Sequence, residues 1–165
     1  MRRVMILGSP GSGKSTLARR LGKLLDVPVF HLDRVYHRPG WTPPPDGEFA
    51  DDVARIAGLP AWVIDGNYAS TAASRLRAAD TIIYLDVSRR LAMARILRRI
   101  VLHYGRQRPD SAEGCPERFD AEFLRYVWNW ERDVAMRVRW LLVGFPGRTI
   151  TLASKRDVRR FTASL

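Results

Sequence analysis

A single cysteine, Cys115, occurs in 165 residues, so the chain can build neither an internal disulfide framework nor a multi-cysteine zinc site. No stretch approaches the roughly 18 apolar residues that a membrane-spanning helix needs, so no membrane partner is expected. Met1-Arg2-Arg3 followed by Val4-Met5-Ile6-Leu7 looks briefly like an export signal, but the apolar run is short and meets glycines. A soluble, cytoplasmic protein is the expectation. Lysine is nearly missing too, since only Lys14, Lys23 and Lys155 contribute to 28 basic residues. Acidic residues number 17, which leaves a net charge of +11 and favours an anionic partner: nucleotide phosphate, nucleic acid or an acidic surface. Codon composition of the genome competes as the source of the arginine bias. His31, His37 and His103 have no metal-ligand spacing and are expected to be structural. There is no internal repeat and no low-complexity tail.

What is present is an alternation of short apolar runs with helical patterns. Arg3 to Leu7 reads as a strand buried on both faces, and Ser15 to Leu25 carries Leu17, Leu21, Leu24 and Leu25 at helical spacing. Val27 to Leu32 reads as a second strand, and Pro39, Pro43, Pro44 and Pro45 forbid regular structure until about Asp46. Asp46 to Gly58 predicts a helix, Ala61 to Ile64 a third strand ending at Asp65, and Thr81 to Leu85 a fourth. A helix from Ser88 runs out near Gly105 and a loop follows to Pro116. Phe119, Phe123, Val127, Trp130, Val134, Val138 and Leu141 then recur every three or four residues, the mark of one long amphipathic helix whose aromatic stripe packs on the core. Arg148 to Leu152 supplies a fifth strand and Lys155 to Ala163 a last helix. The pattern predicts a single α/β domain over 1–165, with a five-stranded parallel sheet flanked by helices on both faces.

Gly8-Ser9-Pro10-Gly11-Ser12-Gly13-Lys14-Ser15 fits G-x-x-x-x-G-K-[ST] at every fixed position, a match expected by chance on the order of once in several hundred chains of this length. Its context is right, because a strand precedes it and a helix follows. Such a loop wraps phosphates while backbone N–H groups and the helix N-terminus direct positive charge at them. Gly8, Gly11 and Gly13 are expected to permit the backbone angles and close approach that a side chain would block. Lys14 is expected to reach the terminal phosphates and Ser15 to bind Mg²⁺, with the segment through Thr16 completing the nucleotide site. The motif is shared by switches, motors and small-molecule kinases, and about 165 residues suits a compact kinase.

These residues resemble the adenylate kinase and shikimate kinase-like branch of P-loop small-molecule kinases over nearly the whole chain. The resemblance implies a P-loop NTPase fold with a small lid at about 103–118, an acceptor-side segment at about 33–60, and use of ATP with Mg²⁺. In that branch two arginines four apart follow the fourth strand, one near the base and one on the phosphates; Arg95 and Arg99 occupy matching places. Arg106 and Arg108 would then sit in the lid. His31-Leu32-Asp33, the stretch from Trp62 to Tyr68 and that from Arg108 to Phe119 are similar, more closely, to proteins labelled DNA topology modulation protein. The chain departs from the branch after its second strand, where no nucleoside-monophosphate pattern is found and Trp41 with its prolines has no counterpart.

The remaining candidates are carboxylates and arginines. Asp33 is expected at the end of strand two, where it would orient or deprotonate an acceptor hydroxyl or hold a Mg²⁺ water; its alternative is a structural cap of a helix or turn. Asp65 ends strand three, where it would serve magnesium or the acceptor, the alternative being a hairpin turn at Asp65-Gly66. Seven arginines, at 89, 90, 95, 98, 99, 106 and 108, lie between Val87 and Pro109 with no acidic residue among them. Arg99 first, then Arg95, Arg106 and Arg108, are expected to stabilise charge on a transferring phosphoryl group, with Arg89 and Arg90 on the surface. The leading expectation is an ATP-dependent phosphotransferase acting on a small molecule, a nucleotide or nucleoside among the choices, with Lys14, Asp33 and Arg99 as its catalytic groups. Its rivals are a nucleotide-gated nucleic-acid-binding or regulatory protein and a bare NTPase switch.

Overall fold

Five short apolar segments pair side by side in this computed structural model, which describes all of residues 1–165. They are β1 (Arg3–Gly8), β2 (Val29–His31), β3 (Trp62–Asp65), β4 (Thr81–Leu85) and β5 (Arg148–Leu152), all parallel, in the order β2-β3-β1-β4-β5. From central β1 the chain runs to β2 and β3 on one side and to β4 and β5 on the other. The carboxyl end of β1 is thus where the connections diverge, the place where open α/β sheets collect ligands.

Strand side chains alternate between two cores, as a period of two requires. Met5, Leu7, Trp62, Ile64, Ile82 and Tyr84 face one layer, formed by α3 (Glu48–Ala57), α6 (Ala121–Trp130) and α7 (Met136–Val143). Val4, Ile6, Val63, Ile83 and Leu85 face the other, formed by α1 (Lys14–Leu25) and α8 (Lys155–Ala163). α2 (Leu32–Tyr36) and α4 (Ala72–Ala78) add Leu32 and Leu76 to the first core, and α5 (Arg89–His103), capped by the Ser88 hydroxyl, which accepts from the Leu91 amide at 3.4 Å, packs Ile96 and Ile100 against Val127 of α6.

The observed elements depart from the sequence reading in three places. The second strand is not Val27 to Leu32 but Val29–His31, because Leu32 turns inward as the first residue of α2 and is buried against Gly66. A Cβ on Gly66, whose φ is +133°, would lie 2.7 Å from that of Leu32, so the glycine makes room for the plug. The long helix is interrupted by a π turn over Glu131–Ala135. Its buried positions are Val127, Trp130, Ala135 and Val138, with a step of five in the middle. The wider turn absorbs the extra residue and keeps the stripe on the core; Val134 is left half-buried. Phe119 lies ahead of α6 and is exposed.

Candidate active site

The loop between β1 and α1 is shaped by its own contacts before any ligand is considered. Gly8 (φ +145°) and Gly11 (φ +76°) are required for a reason other than approach to phosphate: a Cβ at these positions would come within 2.7 Å of the Leu85 carbonyl and 2.5 Å of the Ala92 carbonyl. Gly13 (φ +102°) caps α1, and a Cβ there would meet nothing, so at this glycine it is the backbone angle that excludes a side chain. Lys14 curls back and donates from Nζ to the Gly8 and Ser9 carbonyls at 2.9 and 3.0 Å. Burial pushes its pKa down, opposed by the charges of Asp65 and Asp33 and reinforced by Arg99, so all four groups share one neighbourhood.

Two residues outside the motif hold the loop. Asn67 makes a reciprocal pair with Gly8, accepting from its amide at 3.2 Å and donating to its carbonyl at 2.9 Å. Behind it the fully buried Arg75 donates to the carbonyls of Gly66, Asn67, Tyr68 and Thr71 at 2.7–3.3 Å. Burial lowers its pKa to about 10, which still leaves the guanidinium charged at neutral pH. Arg75 therefore staples the loop that follows β3, and no returning strand forms at Asp65-Gly66.

Asp65, buried at the end of β3, accepts from the Ser15 hydroxyl at 2.8 Å and faces His31 Nδ1 at 2.5 Å across its other oxygen. No trio of His, Cys, Asp or Glu gathers to hold a metal alone. One hydroxyl and one carboxylate suit Mg²⁺, a hard ion that draws its remaining ligands from water and phosphate. His31, expected to be merely structural, is the partner that orients this carboxylate.

Asp33 is not at a strand end, as the sequence suggested, but in the first turn of α2, because the chain turns at Leu32. It remains exposed and accepts from the Tyr68 hydroxyl at 2.9 Å. Tyr36 lies between Tyr68 and His37, with ring centroids 5.0 Å away on either side. Burial and the charge of Asp33 together raise the phenol pKa of Tyr68, and push that of Tyr126 on α6 up to about 12.

Three of the four candidate arginines are already engaged. Arg95 donates to the Gly11 and Ser12 carbonyls at 3.3 and 3.0 Å and lines a cavity of about 350 Å³ with Thr16, Leu17, Ser154, Lys155 and Val158. Arg99 and Arg108 meet on the buried Glu117, at 3.0 and 2.7 Å, and Arg108 also pairs with Asp110, which reaches Arg19 of α1 at 3.5 Å. Burial and the neighbouring Arg108 hold the pKa of Arg99 down. Burial works against the Asp110 charge, but Arg108 and Arg19 outweigh it and keep the carboxyl below its usual range. Arg106 is exposed and makes no ion pair. Residues 103–118 are tied to the segment 33–60: Trp41 Nε1 donates to the Pro116 carbonyl at 3.0 Å, Gly40 N to Gly114 O at 2.9 Å, and the Cys115 thiol to Arg38 O at 3.1 Å. Trp41 adopts φ +65°, a strained conformation for a bulky residue of the kind found at ligand clamps.

Structures similar to this one include a shikimate kinase from Acinetobacter baumannii in complex with shikimate (TM-score 0.62, 16% identity, covering 99% of this chain and 90% of that one). A shikimate kinase from Bacteroides thetaiotaomicron aligns with TM-score 0.59 at 16% identity over 99% and 95% of the two chains. A gluconokinase from Sinorhizobium meliloti 1021 aligns with TM-score 0.54 at 15% identity over 99% and 92%. This is a P-loop NTPase fold. No protein-family model and no curated protein matches the sequence. The comparisons do not support the DNA topology modulation label.

Sequence reasoning found the P-loop because its chemistry is contiguous. It missed Asn67, Tyr68, Arg75 and Glu117 as site residues, although Asn67 and Tyr68 directly follow the Asp65-Gly66 that it singled out. Lys155 was placed only as the start of a helix and Ser154 not at all, and the cavity they line forms when β5 and α8 come alongside the P-loop.

Proposed function

We propose that this P-loop protein is an ATP-dependent phosphotransferase that moves the γ-phosphoryl group to a hydroxyl of a small molecule. The observation that carries the reading is the gathering beyond the carboxyl ends of the strands of a phosphate cradle, the Ser15–Asp65 pair and a carboxylate, Asp33 in the first turn of α2, whose charge reaches Lys14. A switch or motor needs the first two and has no use for the third. In this reading the amides of the loop and of the first turn of α1 hold the β- and γ-phosphates, and Lys14 exchanges its two carbonyl partners for phosphate oxygens. Ser15 and Asp65 would hold Mg²⁺, which would supply charge neutralisation on the phosphates. Asp33 takes the proton of the acceptor hydroxyl as its oxygen attacks the γ-phosphorus and the bond to the β–γ bridging oxygen breaks, releasing ADP. Arg99 and Arg108 supply positive charge from the lid, and Arg95 borders the cavity proposed for the base.

The neighbours are described as kinases of shikimate and gluconate, which supports phosphoryl transfer to an alcohol without naming the alcohol here. The test is ADP release from Mg-ATP with pooled nucleosides, nucleotides, sugars, sugar acids and amino alcohols. Release that depends on one pool is expected. Hydrolysis indifferent to every pool would replace the kinase with an NTPase switch.

A further inference from the structure

Three consecutive residues, Gly114, Cys115 and Pro116, are gripped by the turn that runs from Arg38 to Thr42. Gly40 N donates to the Gly114 carbonyl, the Cys115 thiol to the Arg38 carbonyl, and Trp41 Nε1 to the Pro116 carbonyl. The turn is closed on itself, because Arg38 N donates to Thr42 O at 2.9 Å, and so offers a fixed support. The fit is close: a Cβ on Gly114, whose φ is +69°, would lie 2.8 Å from that of Pro39. Towards α1, residues 103–118 are held by the Arg19–Asp110 pair at 3.5 Å, whose arginine is exposed and whose attraction water screens.

The residue that follows Pro116 is the buried Glu117, on which Arg99 and Arg108 meet. The Pro116 carbonyl shares its peptide unit with the Glu117 amide, which donates to Arg106 O at 2.9 Å. A planar peptide cannot turn one of these groups without the other, so the indole hydrogen bond fixes the plane from which the glutamate side chain springs. Trp41 is strained in making that bond. Its φ of +65° is left-handed, and a bulky residue keeps such a conformation only where its surroundings hold it. The holders are the Pro116 carbonyl, the His37 ring at 5.0 Å and the Arg118 guanidinium at 5.7 Å.

Building on the phosphotransferase reading, we infer that Trp41 is a positioning residue for phosphoryl transfer. From the segment that carries Asp33 it fixes the peptide of Glu117, and through that glutamate it sets where Arg99 and Arg108 meet the γ-phosphate. A guanidinium charge that withdraws from about 4 to about 6 Å from a phosphoryl oxygen loses roughly tenfold in affinity at an effective dielectric of about 20. The β-phosphate, held by the loop amides, does not depend on that hub.

The experiment is calorimetric titration of the whole protein with Mg-ADP and with a non-hydrolysable Mg-ATP analogue, in wild type, Trp41→Phe and Gly114→Ala, beside hydrogen exchange of the nucleotide-free proteins. Phenylalanine keeps a ring and loses the donor, while alanine at 114 forces the same contact apart from the other side, so one variant suffices if the other fails to fold. Each variant is expected to bind Mg-ADP within about twofold of wild type and the ATP analogue about tenfold more weakly. The amides of Gly105 and Glu117 should exchange about fivefold faster, with those of β1 and α1 unchanged. Faster exchange with an unchanged preference for the analogue over ADP would make Trp41 a structural contact only and overturn the inference. Equal weakening of both nucleotides, or exchange at 105 and 117 as slow as in wild type, would overturn it too. Failure of the wild-type protein to bind either nucleotide would strike the phosphotransferase reading and this role with it, whereas normal binding with an unchanged preference sinks this role alone.

Discussion

Replacing Arg75 by leucine is the sharpest test of how the site is built. Arg75 donates to four carbonyls, but two of these keep another partner: Thr71 O accepts from Ser74 Oγ at 2.9 Å, and Tyr68 O from Thr71 N at 3.3 Å. Leucine therefore strands the carbonyls of Gly66 and Asn67, each buried acceptor costing about 1–3 kcal/mol. The loss is offset in part because a guanidinium no longer has to be desolvated without a carboxylate partner. A net destabilisation of roughly 2–4 kcal/mol is expected, a shift in Tm of roughly 5–15 °C for a chain of this size. Urea denaturation followed by circular dichroism measures it. Arg75→Lys, which keeps the charge but cannot span the same carbonyls, should recover no more than about half. The Mg-ATP affinity of Arg75→Leu should fall as well, because Asn67 rides on the stapled loop and grips Gly8. A loss below about 1 kcal/mol for the leucine variant, with nucleotide affinity intact, would refute the staple.

Three further outcomes follow from the same geometry. Lys14→Ala should lose the thermal stabilisation by Mg-ATP, about 2.7 kcal/mol at a ligand concentration of 100 Kd, and an unchanged melting shift would remove Lys14 from the phosphate site. Asp33→Asn should lower kcat by about 10²–10⁴-fold while Mg-ATP affinity holds; turnover near the wild-type rate would take the proton-transfer role away from it. Glu117→Gln removes the anion shared by Arg99 and Arg108 and should cost about 3–5 kcal/mol, felt locally as faster hydrogen exchange across residues 103–118. Protection as strong as in the wild-type lid would show that the carboxylate does not hold it.

The fold was largely legible because its signals are periodic. The last two strands have the bounds that the sequence suggested, and the motif needs only eight consecutive residues to declare itself. What was hidden depends on a neighbour from elsewhere in the chain. Leu32 has the hydropathy of a strand residue, yet the space under Gly66 makes it the start of a helix and so carries Asp33 off the sheet. The π turn is invisible because apolar residues at both 134 and 135 fit a helical stripe. Asn67 and Arg75 act by bonding main-chain groups, a role that no residue spacing announces. Gly8 and Gly11 fit the motif, but the contacts that demand them are with β4 and α5.

Charge shows the same divide between counting and placement. The run of arginines from 89 to 108 reads as a trap for anions, but in the folded chain Arg95 is committed to loop carbonyls and Arg99 and Arg108 share one glutamate. The hub of Arg19, Arg99, Arg108, Asp110 and Glu117 holds three guanidinium groups against two carboxylates, and so offers one net positive charge to an incoming phosphoryl group. One charge at a protein surface is worth about 4 kcal/mol to an anion at 4 Å and far less beyond the Debye length of about 8 Å. In the proposed reaction these arginines would therefore act on a phosphoryl group only in contact, through fork-shaped guanidinium donors that Glu117 holds together. Long-range attraction of a nucleotide has to come from other parts of the +11 surface.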